Sequence, residues 1–248
     1  MHFRAIFALL LLILFCSNIF AQDQDPISPI AAKIQSRDYA GALIMANKLI
    51  SKSPNFGGAY AIRCQIKKET GYADEAIPDC SKAIELNPKD LLARYQRGVM
   101  FADKASWDAA IADFDVVVVM APKVAMGWEN RAQARQAKGD LDGAVADYSK
   151  TIELDPRFAE AYLNRGVILQ GKEKYDEAIA DYTKCIESNP NVFSAYSNRG
   201  NLRLYKNQLD DAIADLSKAI SIAPKNPETV FSRGEAYTVK KRICDRYH

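Results

Sequence analysis

The stretch AEAYLNRGVILQGKEKYDEAIADYTKCIESNP, residues 159–190, decides the fold. Its second half, residues 176–186, repeats apolar side chains at helical spacing and opens on the acids Asp176 and Glu177, which favour a helix N-terminus. A short polar break, Gly171-Lys172-Glu173-Lys174, separates this helix from the one before it. Ser188-Asn189-Pro190-Asn191 closes it, because proline fixes its own backbone and disfavours helix in the preceding residue. The same stop recurs at Pro54, Pro88, Pro122, Pro156, Pro190 and Pro224, each 34 residues after the last. A fixed period of this size marks a solenoid built from one repeated supersecondary unit, and it moves the functional expectation from chemistry towards binding.

Other residues travel in register with the prolines. An alanine stands twelve residues before each: Ala42, Ala76, Ala110, Ala144, Ala178 and Ala212. A small residue stands 24 before five of them, at Cys64, Gly98, Ala132, Gly166 and Gly200, and Gly234 continues the series. Small side chains at two fixed points imply two helices crossing closely. Eight residues before the prolines come Cys80, Phe114, Tyr148, Tyr182 and Leu216; 28 before come Tyr60, Trp128, Tyr162 and Tyr196. Each unit therefore reads as a helical hairpin with a packed seam, and residues 70–72 and 138–140 read as further inner turns. Pro78 falls early in the second helix of its unit, where a late start or mild kink is expected.

This pattern resembles the tetratricopeptide repeat, whose period and signature it matches. In the stretch quoted above, Tyr162, Gly166, Leu169, Tyr175, Ala178, Tyr182 and Pro190 occupy the family's signature places. The resemblance implies an all-α, right-handed superhelical solenoid of helix-turn-helix repeats. Its units are expected at about 23–56, 57–90, 91–124, 125–158, 159–192 and 193–226, with a terminal helix over 227–241. The opening helix is expected to begin near Pro29, which suits a first helical position. The pentatricopeptide family has a similar period, but the constant spacing of 34 with alanine and proline in register favours the tetratricopeptide reading.

Residues 1–21 differ in kind. His2 and Arg4 precede an apolar run from Ala5 to Cys16, and the small Ala21 follows, which is the outline of a secretory signal peptide cleaved after Ala21. A secreted or periplasmic location for a mature array of residues 22–248 is the expectation; an uncleaved N-terminal anchor is the alternative, and the only route by which the chain would meet a membrane. Without that segment, Lys plus Arg fall from 33 to 32, against 31 Asp plus Glu. So balanced a charge offers no footprint for nucleic acid.

Cys64 and Cys80 occupy facing points of one hairpin. The favoured reading makes both small core fillers; a disulfide is the alternative, open to them in an oxidising compartment if their α-carbons lie within about 7 Å. The only histidines are His2 and His248, which leaves no usual nucleophile pair or histidine-rich zinc site in the folded body. No enzyme activity, cofactor or metal is expected.

Two polar ladders remain. Arg63, Arg97, Arg131, Arg165, Arg199 and Arg233 keep the period, and so do Asp79, Asp113, Asp147, Asp181 and Asp215. Ion pairing across the hairpin, or to the preceding unit, is favoured over a basic stripe for an acidic partner, because a guanidinium fork suits a carboxylate at a partly buried crossing. Immediately before the arginines stand Gln96, Asn130, Asn164 and Asn198, and three residues further on stand Gln133 and Asn201. In the resembled family these places line the concave groove. An asparagine row there is similar to that of the O-linked N-acetylglucosamine transferase superhelix, which grips a peptide backbone; amides suit such a task because they donate and accept at once. The plainer alternative is that these amides cap or face water. The family's clamp for C-terminal carboxylates is not assembled, since its places hold Ala61, Gln65, Gln96, Met126 and Asn130. The expected function is a non-enzymatic scaffold of the cell envelope or exterior that binds a protein or peptide segment in its groove. A membrane-anchored assembly factor, or a carbohydrate-binding accessory module using Tyr95, Tyr205 and Phe231, are the alternatives.

Overall fold

The computed structural model describes residues 25–247, so the leader expected over residues 1–21 lies outside the described residues. All regular structure among the described residues is helical. The first hairpin pairs α1 (Ser28–Gln35) with α2 (Tyr39–Lys52), and the second pairs α3 (Gly57–Glu69) with α4 (Ala73–Leu86). Next come α5 (Leu91–Asp103) with α6 (Trp107–Met120), then α7 (Ala125–Lys138) and α8 (Leu141–Leu154). The pairs α9 (Ala159–Gly171) with α10 (Tyr175–Ser188) and α11 (Phe193–Tyr205) with α12 (Leu209–Ile222) follow, and α13 (Pro227–Tyr247) ends the order. The last helix runs six residues past the expected 241. Internal contacts divide the chain into two compact units on either side of the Ala134–Arg135 junction, within α7.

Each periodic proline acts as anticipated. The second helices end at Lys52, Leu86, Met120, Leu154, Ser188 and Ile222, two residues short of a proline. The capping residue between is pushed out of helical space, as at Asn87 (φ −136°, ψ 91°) and Asn189 (φ −143°, ψ 98°). Pro78 does not delay its helix: α4 begins at Ala73, in register with the other second helices.

The inner turns share one backbone device. Arg37, Gly71, Ala105, Gly139, Glu173 and Asn207, again 34 apart, all have left-handed backbones, with φ between 55° and 94°. In each turn the next residue's N–H reaches back five residues, as Lys174 N does to Leu169 O at 2.9 Å, which closes the orphan carbonyls of the first helix. Only two of these six positions carry glycine, so the tight turn is held against a steric cost of roughly 1–2 kcal/mol at each of the others. Gly171, in the break expected from the sequence, is instead the last residue of α9.

The seam pairs the small residue with the large apolar one sixteen residues on. A β-carbon on Gly98 would stand 2.8 Å from the Phe114 ring, one on Gly166 2.8 Å from the Tyr182 ring, and one on Gly200 2.9 Å from Leu216 Cγ. All three large partners are fully buried. The second unit of the sequence solves the same contact covalently: Cys64 and Cys80 are joined by a disulfide, with their α-carbons 5.3 Å apart. The core-filler expectation is thereby corrected. Both positions are buried between crossing helices, and two sulfurs occupy the space that glycine and an aromatic ring share elsewhere.

Candidate functional site

The arginine ladder is spent on cohesion. Arg97, Arg165 and Arg199 each hold an aspartate sixteen residues on through two parallel bonds, Nε to Oδ2 at 2.8 Å and Nη2 to Oδ1 at 2.7–2.8 Å. Arg63 holds Asp79 with the same fork. The remaining nitrogen, Nη1, donates to the residue sixteen before: Asn47, Ser81, Ser149 and Thr183 at 2.9–3.0 Å, and Asp115 at 2.7 Å from Arg131. Arg63, Arg97, Arg165 and Arg199 therefore each staple their own hairpin to the one before it. A ring three residues earlier lies under the charge in several units, with Arg165 6.0 Å from the Tyr162 centroid and Arg199 5.9 Å from that of Tyr196. The ion-pair reading holds, and no basic stripe is left over for an acidic partner at these forks.

The amide row is less uniform than its period. Gln96 is buried beside the disulfide, its Oε1 3.9 Å from Cys80 Sγ, so it is withdrawn from any ligand surface. Asn130 uses its amide nitrogen twice, donating to the Tyr95 hydroxyl at 3.1 Å and the Met126 carbonyl at 2.9 Å. Burial pushes the Tyr95 hydroxyl up to about 12, and the Asn130 bond pulls in the opposite direction. Tyr95 also packs on Phe114 with ring centroids 6.1 Å apart, which removes it from the set of open aromatics. Gln133 is exposed and donates to Glu129 on its own helix. Asn164 is half-buried on α9.

In the second compact unit, two residues of the row come together in a cleft of about 550 Å³ between α9, α11 and the start of α10. Asn198 and Asn201 form its polar wall with Gln170, while Val167, Leu202, Tyr175 and Tyr205 form its apolar side. Asn198 is fixed from behind. It hydrogen-bonds the Tyr182 hydroxyl, which in turn donates to Gln170 Oε1 at 2.7 Å. Burial raises that phenol to about 12, so it stays a neutral link in the chain. Asn201 is exposed with no such tether. Tyr205, 72% exposed, stands edge-on to Tyr175 at a centroid distance of 5.1 Å. Amides beside exposed aromatic and aliphatic surface suit an extended peptide: the amides meet backbone groups, and the rings meet side chains. Sequence reasoning missed Tyr175 and Gln170. Gln170 has a visible echo in Gln136, whose Oε1 accepts from Tyr148 at 2.9 Å, and Tyr175 keeps the period with Tyr39 and Trp107, which marked it for the scaffold and not for a site.

Sequence profiles described as tetratricopeptide repeat match residues 58–90, 159–192 and 181–214, and one described as TPR repeat matches 132–173 and 200–238. No curated protein matches the chain. Among solved structures, MamA is 24% identical, with a TM-score of 0.61 over 64% of this chain and 93% of that one. YrrB, described as a TPR protein with an unusual peptide-binding site, is 20% identical, with a TM-score of 0.67 over 76% and 97%. The pilF protein of Pseudomonas aeruginosa is 13% identical, with a TM-score of 0.70 over 86% and 95%. At these identities the likenesses speak for the fold. With the hairpin period, the seam and the profile matches taken together, the chain belongs to the tetratricopeptide repeat family.

Proposed function

We propose that this chain is an exported scaffold that holds an extended partner segment in the cleft lined by Asn198, Asn201, Tyr175 and Tyr205. A tetratricopeptide array is a protein–protein interaction scaffold, so the general role follows from the family. The observation that carries the finer reading is the pairing, in one cleft, of a pre-set amide wall with an exposed tyrosine pair. YrrB, similar in fold, is itself described as peptide-binding, which is compatible with a peptide ligand here. Export draws its support from the apolar leader-like run over residues 5–16 and from the Cys64–Cys80 bond, which persists in oxidising compartments.

The test is affinity selection of a displayed peptide library on the full chain, repeated with Asn201→Ala/Tyr205→Ala. Neither side chain is tied into the core, so the variant keeps its fold and loses at least tenfold in affinity for the selected peptides. Equal affinity in both proteins removes the cleft as the site. A fusion of residues 1–21 to a reporter that is active only after export tests the location, and an inactive reporter refutes it.

A further inference from the structure

We infer that the cleft between α9 and α11 is a site for proline-bearing segments in the polyproline II conformation. The inference rests on the cleft reading above and names the class of segment which that reading leaves open. Three properties of the cleft select it: charge, hydrogen-bonding balance and the posture of the two tyrosine rings.

Among the described residues no charged side chain lines the cleft. A carboxylate, phosphate or ammonium group placed there would shed its hydration and meet no countercharge. The polar wall is made of three amides, Gln170, Asn198 and Asn201. An amide side chain carries two N–H donors and one oxygen. The Tyr182 hydroxyl behind the wall accepts an N–H from Asn198 and donates to Gln170 Oε1 at 2.7 Å, so one donor and one oxygen are already used. Gln170 is thereby left to present its N–H groups, and across the wall N–H groups outnumber the oxygens that remain free.

An ordinary extended segment brings one N–H for every carbonyl. Against a wall with more donors than acceptors, some of those N–H groups would lie unpaired over Val167, Leu202 and the rings, which is costly. Proline brings the carbonyl without the N–H. In a polyproline II helix the carbonyls make no internal hydrogen bonds and stay open to outside donors. The wall and such a segment are therefore complementary group by group.

The rings suit the same ligand. Tyr175 and Tyr205 meet at 62° with centroids 5.1 Å apart, so the face of one and the edge of the other form an apolar corner. A pyrrolidine ring fills that corner, with its polarised C–H groups on the electron-rich aromatic face. Because Tyr205 is largely exposed, the cleft covers only part of any ligand, and a segment that must be ordered on binding would gain little net affinity. A polyproline II segment arrives with its backbone already set. A saccharide would also lie against tyrosine, but its hydroxyls need acceptors, and the wall has no carboxylate to receive them.

The probe is fluorescein-labelled decaproline, titrated into the full chain by fluorescence anisotropy beside a labelled proline-free decamer of alternating alanine and glutamine. Saturable micromolar binding of decaproline is expected, as suits a small open site, with the proline-free peptide weaker by about tenfold or more. Tyr205→Ala should weaken decaproline by about fivefold or more, while Tyr205→Phe, which keeps the ring, should stay within about twofold of wild type. Asn201→Asp exchanges donors for acceptors on an exposed, untethered side chain and should weaken decaproline by about fivefold, an exchange that a merely steric wall would not register. Equal affinity for the two decamers overturns the inference, and so does decaproline binding that Tyr205→Ala leaves unchanged. If peptides selected from the displayed library carry no proline, depend on Asn201 and Tyr205, and decaproline does not bind, the cleft stands as a peptide site and the proline assignment falls. If neither the selected peptides nor decaproline respond to Asn201→Ala/Tyr205→Ala, cleft and assignment fall together. Saturable binding of chitohexaose that Tyr205→Ala abolishes, with decaproline inert, overturns the assignment in favour of a saccharide.

Discussion

Replacing Arg165 with alanine removes three bonds at once: two to Asp181 at 2.7 and 2.8 Å, and one to Ser149 Oγ at 2.9 Å. The larger part of the loss lies in what remains. The Asp181 side chain is 6% exposed, so the variant leaves a carboxylate desolvated and without its fork. Removing one partner of a buried ion pair costs about 3–5 kcal/mol, and solvent access to the arginine, 22% exposed, places this case near the low end. The Ser149 arm adds about 1 kcal/mol. A total near 3–4 kcal/mol in a chain of this size lowers the midpoint by about 6–16 °C, at roughly 2–4 °C per kcal/mol. Circular dichroism melts of the wild type, Arg165→Ala, Asp181→Ala and the double variant form a thermodynamic cycle. The pair should show a coupling energy of about 2 kcal/mol, with the double variant more stable than the sum of single losses implies. A melt of Arg165→Ala within about 1 °C of wild type would refute the cohesive role, because the estimate leaves no room for so small a change. Loss of partner binding at unchanged melting would move the arginine to the ligand surface instead.

Gly166→Ala drives a methyl to within 2.8 Å of the Tyr182 ring and should cost about 1–3 kcal/mol in urea unfolding, while Gly234→Ala, with open space around it, should be neutral or slightly stabilising. Alkylation of the unfolded, non-reduced chain followed by peptide mass mapping should label Cys185 and leave Cys64 and Cys80 unlabelled; label on Cys64 contradicts the disulfide. The bridge spans sixteen residues, and Cys64→Ser/Cys80→Ser should cost about 3 kcal/mol by the chain-entropy argument. Burial raises the Cys185 thiol to about 11, with Glu160 adding to the shift, so the folded chain holds it neutral. In the unfolded chain a thiol ionises near about 8.5, so this contribution to stability is complete below that pH and declines as pH rises towards 11. Native-state alkylation at pH 8 should therefore mark exposed Cys244 and spare Cys185, and equal rates at the two would count against the buried, neutral thiol.

Much of the architecture was legible because the period is a local property repeated. Pro190 stops a helix through its own ring, Tyr182 is buried because apolar spacing turns it inward, and both effects repeat wherever the residues do. The Arg165–Asp181 pair was legible for a related reason: two ladders sharing one period must face each other in every unit or in none. The site was less legible. Asn130 and Asn198 hold the same place in the repeat, yet Asn130 is committed to Tyr95 while Asn198 also fronts a cleft. The difference comes from neighbours that break the period, Tyr95 in one case and, in the other, Tyr205, whose places one unit before and after hold Gly171 and Val239. Gln96 is buried, its Oε1 3.9 Å from Cys80 Sγ, where other units carry a large apolar side chain in place of the cysteine.

By itself, then, the sequence determined the hairpin unit, its length, the residues of the seam and the ion pairs that join the two helices of a unit, because these depend on spacing along a helix and on side-chain size. Only the tertiary structure decided two further matters: that Cys64 and Cys80 are bonded, and that Asn198, Asn201, Tyr175 and Tyr205 share a cleft. Each is a fact about which atoms from distant parts of the chain meet, and a repeat leaves that open wherever its neighbours stop being equivalent.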